Sequence, residues 1–297
     1  MSDQSLPATT RWSQRQRYGF LEQRLYWEGA ISRSDLMRRF AISAPQASDD
    51  VANYMGLAPG NVEFDRSRKV YVATSNFAPR FIVPNARHYL TQLLLLADDA
   101  IDSGDSWLGA IPAHAAMPRV RRRMDPHTLR PIVTAMNQRR AIEIRYQSMT
   151  APQPTLRWIA PHSLVYDGAR WHARSWCYNR SVFSDFVLAR ILSIGETRLS
   201  GIDATLDRQW QECFTITLAP HPELSETQRQ AIEMDYGMTD GVIGISMRLC
   251  MTHYFERHYG LDLPTDLLPV WRRQIVLQNR SELELVRATF GATKEPA

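Results

Sequence analysis

The chain has 297 residues, 44% of them hydrophobic and 22% charged; this is a globular composition, long enough for two or three domains and unlike that of a disordered polypeptide. Its 35 basic and 31 acidic residues leave a net +4, spread unevenly: residues 1–199 carry +9 and residues 200–297 carry −5, so a polyanionic partner suits the first two-thirds and not the last. The three cysteines, Cys177, Cys213 and Cys250, fit neither a disulfide framework nor a metal site. A polar N-terminus and a longest apolar run of only residues 93–97 argue against secretion and membrane spanning, so a cytoplasmic chain with no cofactor and no metal is expected. Among the bases only Lys69 and Lys294 are lysines. That bias suits bidentate contacts to phosphate and guanine, and it equally suits a GC-rich coding sequence.

In chain order, residues 1–10 are polar and read as frayed. Residues 12–27 read as a helix with Tyr18, Leu21, Leu25 and Tyr26 inward, ended by Gly29. Ser32 caps a short second helix with Asp35 reaching back, and Leu36 and Phe40 face inward. Ser43 caps a third helix with Pro45 in its first turn. Ala47, Val51 and Tyr54 form its inner face, and Gln46, Asp49 and Asn53 point outward. VEFDRSRKVYV then reads as a hairpin around residues 65–69. Three helices with a tight break before the third, followed by a hairpin, spell a winged helix-turn-helix over residues 1–79.

Pro79 and Pro84 mark the start of a helical linker and dimerisation region over residues 80–139, with helices at 85–101 and 125–139 flanking a loop. Residues 140–200 are β-rich. AIEIRY places Ile142, Ile144 and Tyr146 on one face. LRWIAP is a short strand, SLVYDGARWHARSWC is a hairpin with a type I′ signal at Asp167-Gly168, and FSDFVLARILSI is one further strand. Together they predict a small, strongly bent, barrel-like sheet of about five strands. Residues 201–297 return to strands and helices, so the fold class is α+β.

A winged helix reads DNA with base-contacting side chains on the third helix and phosphate contacts around it. Gln46 and Ser48 are placed to meet base edges, and Pro45 to touch a thymine methyl. Ser43 with the helix N-terminus, Arg33 and Ser34 are candidates for phosphate. Arg66, Arg68 and Lys69 occupy the wing tip, and Arg11, Arg15 and Arg17 are further phosphate candidates. Asp49 and Asp50 oppose phosphate, so they must face away or pair with arginine. A solvated helix face is the plain alternative for each of these residues.

The stretch RWIAPHSLVYDGARWHARSWCYNRSVFSDFVLARI resembles the WYL domain, a ligand-sensing module of bacterial transcription regulators. The hallmark triplet is Trp171-His172-Ala173, and residues 186–191 look like the family's arginine-bearing strand, with Arg190 as the arginine. WHAR and the third helix SAPQASDD together resemble the BrxR/CapW type of repressor, which sits beside phage-defence operons. His172 and Ala173 depart from the generic triplet. The resemblance implies a WYL, Sm-like barrel followed by a C-terminal extension used for dimerisation and regulation.

His172 and Arg174 share one strand face, which suits an anionic or nucleotide ligand. By resemblance Tyr146, Ser148, His162 and Arg190 join them, a set with one aromatic platform, and Trp171, which faces the other way on the strand, is a further candidate. Tyr146 and Trp171 equally suit core packing, His162 a structural role, and Arg174 or Arg190 a pairing with Glu143, Asp185 or Glu196. No nucleophile elbow, phosphate loop or metalloprotease motif is present, so a catalytic role is not expected. The expected protein is a homodimeric repressor of an inverted-repeat operator in double-stranded DNA, answering to a nucleotide or nucleic-acid effector. A constitutive DNA-binding protein and an activator are the competing readings.

Overall fold

The structure is a computed structural model, and it describes residues 12–118, 120, 122–264 and 267–290. The chain divides into two compact units, Met1–Val120 and Arg121–Ala297. The division falls inside the 80–139 stretch, so one of its helices belongs to each unit.

The first unit opens with α1 (Trp12–Glu28), which stops where Gly29 takes a φ of +74°. A two-residue strand β1 (Ala30–Ile31) leads to α2 (Arg33–Phe40). Ser32 and Asp35 close the expected capping box there, and Ala41 terminates the helix in the left-handed region. α3 (Ala44–Leu57) is capped by Ser43 with Pro45 in its first turn, where a missing N–H costs little. β2 (Val62–Asp65) and β3 (Val70–Ala73) form the wing hairpin, and β1 completes a three-stranded sheet in the order β1-β3-β2. Tyr18, Leu21, Leu25, Ile31, Leu36, Ala47, Val51 and Tyr54 make the core. Tyr26, expected inside, lies 45% exposed, because the buried stripe of α1 runs through Tyr18, Leu21 and Leu25.

The segment after the wing is bound to this core. The Glu22 carboxylate, fully buried on α1, accepts from the backbone N–H groups of Arg80, Phe81 and Ile82 and from the Tyr54 hydroxyl. Four donors satisfy a charge that would otherwise be costly to bury. α4 (Ala86–Ala97) adds Leu93 to the same core, and the loop after it adds Trp107 and Leu108. Glu28 accepts from the N–H groups of Gly109 and Ala110. A Cβ on Gly109 would lie 1.8 Å from the Arg24 guanidinium, so any larger residue here has to displace that side chain.

The second unit begins with α5 (Pro126–Asn137) and a five-stranded antiparallel sheet: β4 (Arg140–Tyr146), β5 (Thr155–Tyr166), β6 (Trp171–Cys177), β7 (Val182–Val187) and β8 (Ile191–Leu199). Their order is β7-β6-β5-β4-β8. β7 and β8, at opposite edges, are joined by a three-residue 3₁₀ turn, Leu188–Arg190, so the sheet has to curl. Ile132 and Ala135 of α5 pack with Ile142, Ile144, Tyr146, Ile159, Ala173 and Phe186 inside the curl.

Three local expectations are corrected. LRWIAP and the following SLVY are one strand, β5, with a register shift between Pro161 and Ser163 that leaves His162 at a bulge. FSDFVLARILSI is two strands, because the chain turns at residues 188–190. The β5–β6 turn has positive φ at Gly168 only, so it is not type I′, where both central residues need it.

A second sheet has the order β10-β9-β11: β9 (Cys213–Pro220), β10 (Ile243–Arg248) and β11 (Ile275–Leu277). A short α6 (Arg208–Gln211) precedes it, and α7 (Glu226–Tyr236), α8 (Thr252–His258) and α9 (Arg280–Thr289) accompany it. Ile216, Leu218, Ile232, Leu249, Leu261 and Leu283 form its core. No helix among the described residues is long and apolar enough to cross a membrane.

Candidate nucleic-acid interface and effector region

α3 presents Pro45 and Gln46 to solvent, while Ala47, Val51 and Tyr54 hold it against the core. Ser43 is exposed too, but its Oγ accepts from the Gln46 N–H at 3.4 Å, its carbonyl accepts from the Ala47 N–H and Pro45 carries no N–H, so a phosphate at this helix end would meet chiefly the Ala44 N–H. Ser48 is committed in both directions: it donates to the Ala44 carbonyl and accepts from Arg33 Nη1, each at 3.0 Å. Ser48 can still accept one hydrogen bond from a base edge, whereas donating to a base has to replace its bond to the Ala44 carbonyl. Ser34 is exposed beside the cap, 2.7 Å from Ser32 Oγ.

Asp50 is buried and accepts from Arg17 through Nε at 2.6 Å and Nη2 at 3.0 Å, and from Gln46 Nε2 at 3.2 Å. Arg17 is therefore spent on a carboxylate and is not a ready phosphate ligand. Arg15 is exposed, and Arg11 lies outside the described residues. At the wing tip, Asp65 accepts from Ser67 N, Ser67 Oγ and Arg68 N, which fixes the turn. The Ser67 hydrogen bonds, with those of the Arg68 backbone, hold the Asp65 carboxyl below the usual carboxylate range. Arg66, Arg68 and Lys69 all remain exposed on that turn, with Lys69 at φ +56°.

The seven residues expected around an effector do not converge on one open site. Tyr146 is fully buried, its hydroxyl accepts the Val187 N–H at 3.2 Å, and burial raises its pKa while Arg190 and Arg157 oppose that rise. Arg190 reaches the same tyrosine from the 3₁₀ turn and not from a strand. Ser148 is buried and bonded to Thr150. Trp171 is half exposed, neither core nor pocket, and rests on its cross-strand partner Tyr166 with ring centroids 5.0 Å apart.

His172 and Arg174 do share a face, but residues of the C-terminal third cover it. Arg174 is 1% exposed. It donates to both Asp207 oxygens at 2.7 and 2.8 Å, to Asp185 at 3.4 Å and to Gln209 at 3.2 Å. Burial alone would lower the Arg174 pKa, yet the Asp207 hydrogen bonds and the Asp185 field raise it. Burial likewise acts against the Asp207 carboxylate, and Arg174 and His162 reverse it to a net lowering. His162 bridges Ser163 Oγ at 2.9 Å and Asp207 Oδ2 at 3.0 Å. His172 is fully buried between Asp167, 3.0 Å from its Nε2, and the Tyr254 hydroxyl. Burial lowers its pKa, which disfavours the protonated form that an anionic ligand would call on. Tyr254 in turn donates to Asp185 at 3.0 Å.

The sequence named Asp185 as a possible partner for Arg174, but not Asp207 or Tyr254, which lie 33 and 80 residues further on. An open cleft of about 600 Å³ lies beside the covered face, lined by Met136, Arg139, Arg140, His162, Phe183 and residues 200–205. Among the described residues no group of three His, Cys, Asp or Glu is placed to hold a metal ion.

Comparison with known proteins bears on both regions. Residues 13–95 match the BrxR transcriptional regulator winged helix-turn-helix domain, residues 127–195 the WYL domain, and residues 213–283 the BrxR transcriptional regulator C-terminal dimerization domain. The chain is 38% identical over 277 residues to the DNA-binding transcriptional repressor CapW of Stenotrophomonas maltophilia, covering 92% of each. It is 38% identical over 273 residues to the Escherichia coli repressor of that name, covering 92% of this chain and 91% of the relative. It is 36% identical over 276 residues to the one from Pseudomonas aeruginosa, covering 92% of each. With its three domains matched in order and nearly all of its length aligned, the chain belongs to the BrxR/CapW family of winged-helix, WYL-domain transcriptional repressors.

Proposed function

We propose that the chain is a homodimeric repressor that binds an inverted-repeat operator through α3 and the wing, and releases it when an anionic, nucleotide-like effector binds the WYL domain. The observation that carries the DNA reading is the exposed pair of surfaces on the first unit: Pro45 and Gln46 at the start of α3, and Arg66, Arg68 and Lys69 on a tip whose own carboxylate, Asp65, is drawn into the turn by three hydrogen bonds. Charge at the tip supplies affinity for any duplex, and the helix face supplies the choice of sequence. The match to a C-terminal dimerization domain supports the two-fold arrangement.

The test is binding of the purified chain to the DNA upstream of its own gene, across a salt series, against a scrambled duplex. Tight binding at an inverted repeat supports the reading, and equal affinity for the scrambled duplex sinks autoregulation. A defence operon as the target is checked by whether deleting the gene raises transcripts of adjacent phage-defence genes.

The effector enters at the cleft lined by Arg139, Arg140 and His162, because the Arg174 face is covered. Its volume suits a small ligand, and its guanidinium groups suit phosphate. Nucleotides and short oligonucleotides titrated into the protein–operator complex should release DNA from the parent and not from Arg140→Ala. No release by any of them leaves the competing reading, a constitutive repressor.

A further inference from the structure

The three bonds to Asp50 do more than neutralise a carboxylate close to the DNA-reading surface. Asp50 is 1% exposed and sits one helical turn after Gln46, so its side chain lies beneath that of Gln46 on α3. Arg17 approaches from α1 and occupies both of its oxygens. A carboxylate only accepts hydrogen bonds, so it is Nε2 of Gln46, and not Oε1, that faces Asp50. The amide orientation is therefore dictated by donor and acceptor chemistry. One amide proton is used on Asp50, while the second proton and Oε1 remain for a ligand on the exposed side. A donor and an acceptor side by side match adenine, which offers N7 as acceptor and N6–H as donor in the major groove.

We propose that Asp50 is a specificity-determining positioning residue: clamped by Arg17, it orients the Gln46 amide for adenine before DNA arrives. The proposal rests on the reading of α3 as the base-contacting helix. Gln46 alone on an exposed helix face would spread over several rotamers and two amide orientations. The carboxylate selects one of them, so the entropy of fixing the side chain is lost during folding and not during binding. Arg17 keeps the clamp electrically neutral, so that the carboxylate does not repel phosphate.

The experiment uses the full chain as parent, Gln46→Ala and Asp50→Asn. Each selects from a duplex pool randomised across a half-site, and the bound DNA is sequenced. The parent should enrich adenine at one position per half-site, and Gln46→Ala should lose that enrichment. Asp50→Asn should lower it about three- to tenfold at that position alone, the range expected when one immobilised side chain regains its freedom. If Gln46→Ala changes no position, α3 does not read through Gln46, and the functional reading falls together with the proposal. If Gln46→Ala abolishes the enrichment while Asp50→Asn keeps it at the parent level, or weakens every position alike, the reading stands and the positioning role is overturned. A second measurement does not depend on the folding of the Asp50 variant. In nitrogen-15 glutamine-labelled parent, with Gln46→Ala to assign the signal, one Gln46 amide proton should be shifted downfield and slow to exchange with water. Two protons behaving like free glutamine overturn the proposal.

Discussion

Two arginine–aspartate clusters, one in each unit, reach opposite ends from similar residues. In the first unit Arg17 holds Asp50, and a third member, Gln46, stands exposed with hydrogen-bonding capacity to spare. In the second unit Arg174 holds Asp207 and Asp185, and the neighbouring His162, His172, Gln209 and Tyr254 turn inward to satisfy those groups or one another. The first cluster prepares a surface to recognise something. The second fastens the curled sheet to the residues that come after it, as a polar core. Arginine in a regulator of this kind is thus not by itself the mark of a ligand site. What separates the two cases is whether any donor or acceptor is left pointing outward.

The sharpest way to break this contrast is Arg174→Ala. It leaves Asp207 and Asp185 buried without their cation, and breaking a buried pair from one side costs about 3–5 kcal/mol. Thermal unfolding should show the midpoint falling steeply, whereas Arg15→Ala on the exposed face of α1 should move it little. An Arg174→Ala protein as stable as the parent would mean that the second cluster is not structural.

Gln46→Ala should do the reverse. Stability should hold, and discrimination at one base of the half-site should fall about 10- to 100-fold, the worth of one bidentate contact. A uniform loss of affinity for all DNA would place Gln46 among the phosphate contacts instead.

Acid should separate the units next. His253 has neither ring nitrogen hydrogen-bonded among the described residues, and burial, reinforced by nearby arginines, pushes its pKa down to about 3. His172 is lowered from 6.5 by burial as well. His253 stays neutral in the folded chain until the pH nears 3, while the unfolded chain takes up its proton near pH 6.5, and His172 is shifted in the same direction. Their contribution is therefore complete above that pH and is lost as the pH falls towards the folded values, at about 1.4 kcal/mol per pH unit for His253. Urea unfolding between pH 7 and 4 should show this slope, and His253→Phe should shallow it by about one proton. Below pH 4 the lowered Asp207 adds loss of the same sign, since its folded pKa lies under the ordinary 3.8. A flat profile from pH 7 to 4 would contradict the burial of both imidazoles.

The smallest effect belongs to the wing. Arg68→Ala should weaken binding to specific and scrambled DNA alike and reduce the salt slope by about 0.9. An unchanged slope would take Arg68 off the phosphate backbone.

The first unit was more legible in the sequence than the second, for a physical reason. Ser32 with Asp35, Ser43 with Pro45, and the Asp65–Lys69 turn act over three or four residues, and such short-range chemistry is written where it operates. Charge alone left Asp50 two options, to face away from phosphate or to pair with an arginine, and the structure shows the pairing, with a partner that the sequence did not name. In the second unit, alternation along residues 171–177 assigned His172 and Arg174 correctly to one face, but nothing local tells a solvated face from one covered by residues far along the chain. The bulge at His162 and the turn at residues 188–190 escaped for a related reason. Sheet curvature is set by which edges must meet, and the residues at the bend carry no special composition. In the first unit Tyr26 was placed on the wrong face and the role of Glu22 was missed. A glutamate among Tyr18, Leu21 and Leu25 reads as a surface residue until the amides of residues 80–82 arrive to bind it.

That glutamate also sets where the molecule can be cut. The end of the wing, near residue 79, looks like the natural seam for grafting this reading head onto another sensor. A cut there would strip Glu22 of three of its four donors, Glu28 of the Gly109 and Ala110 amides, and the core of Trp107 and Leu108. A transplantable head has to carry its strap as far as about residue 111, so in this chain the unit of exchange is longer than the unit of recognition.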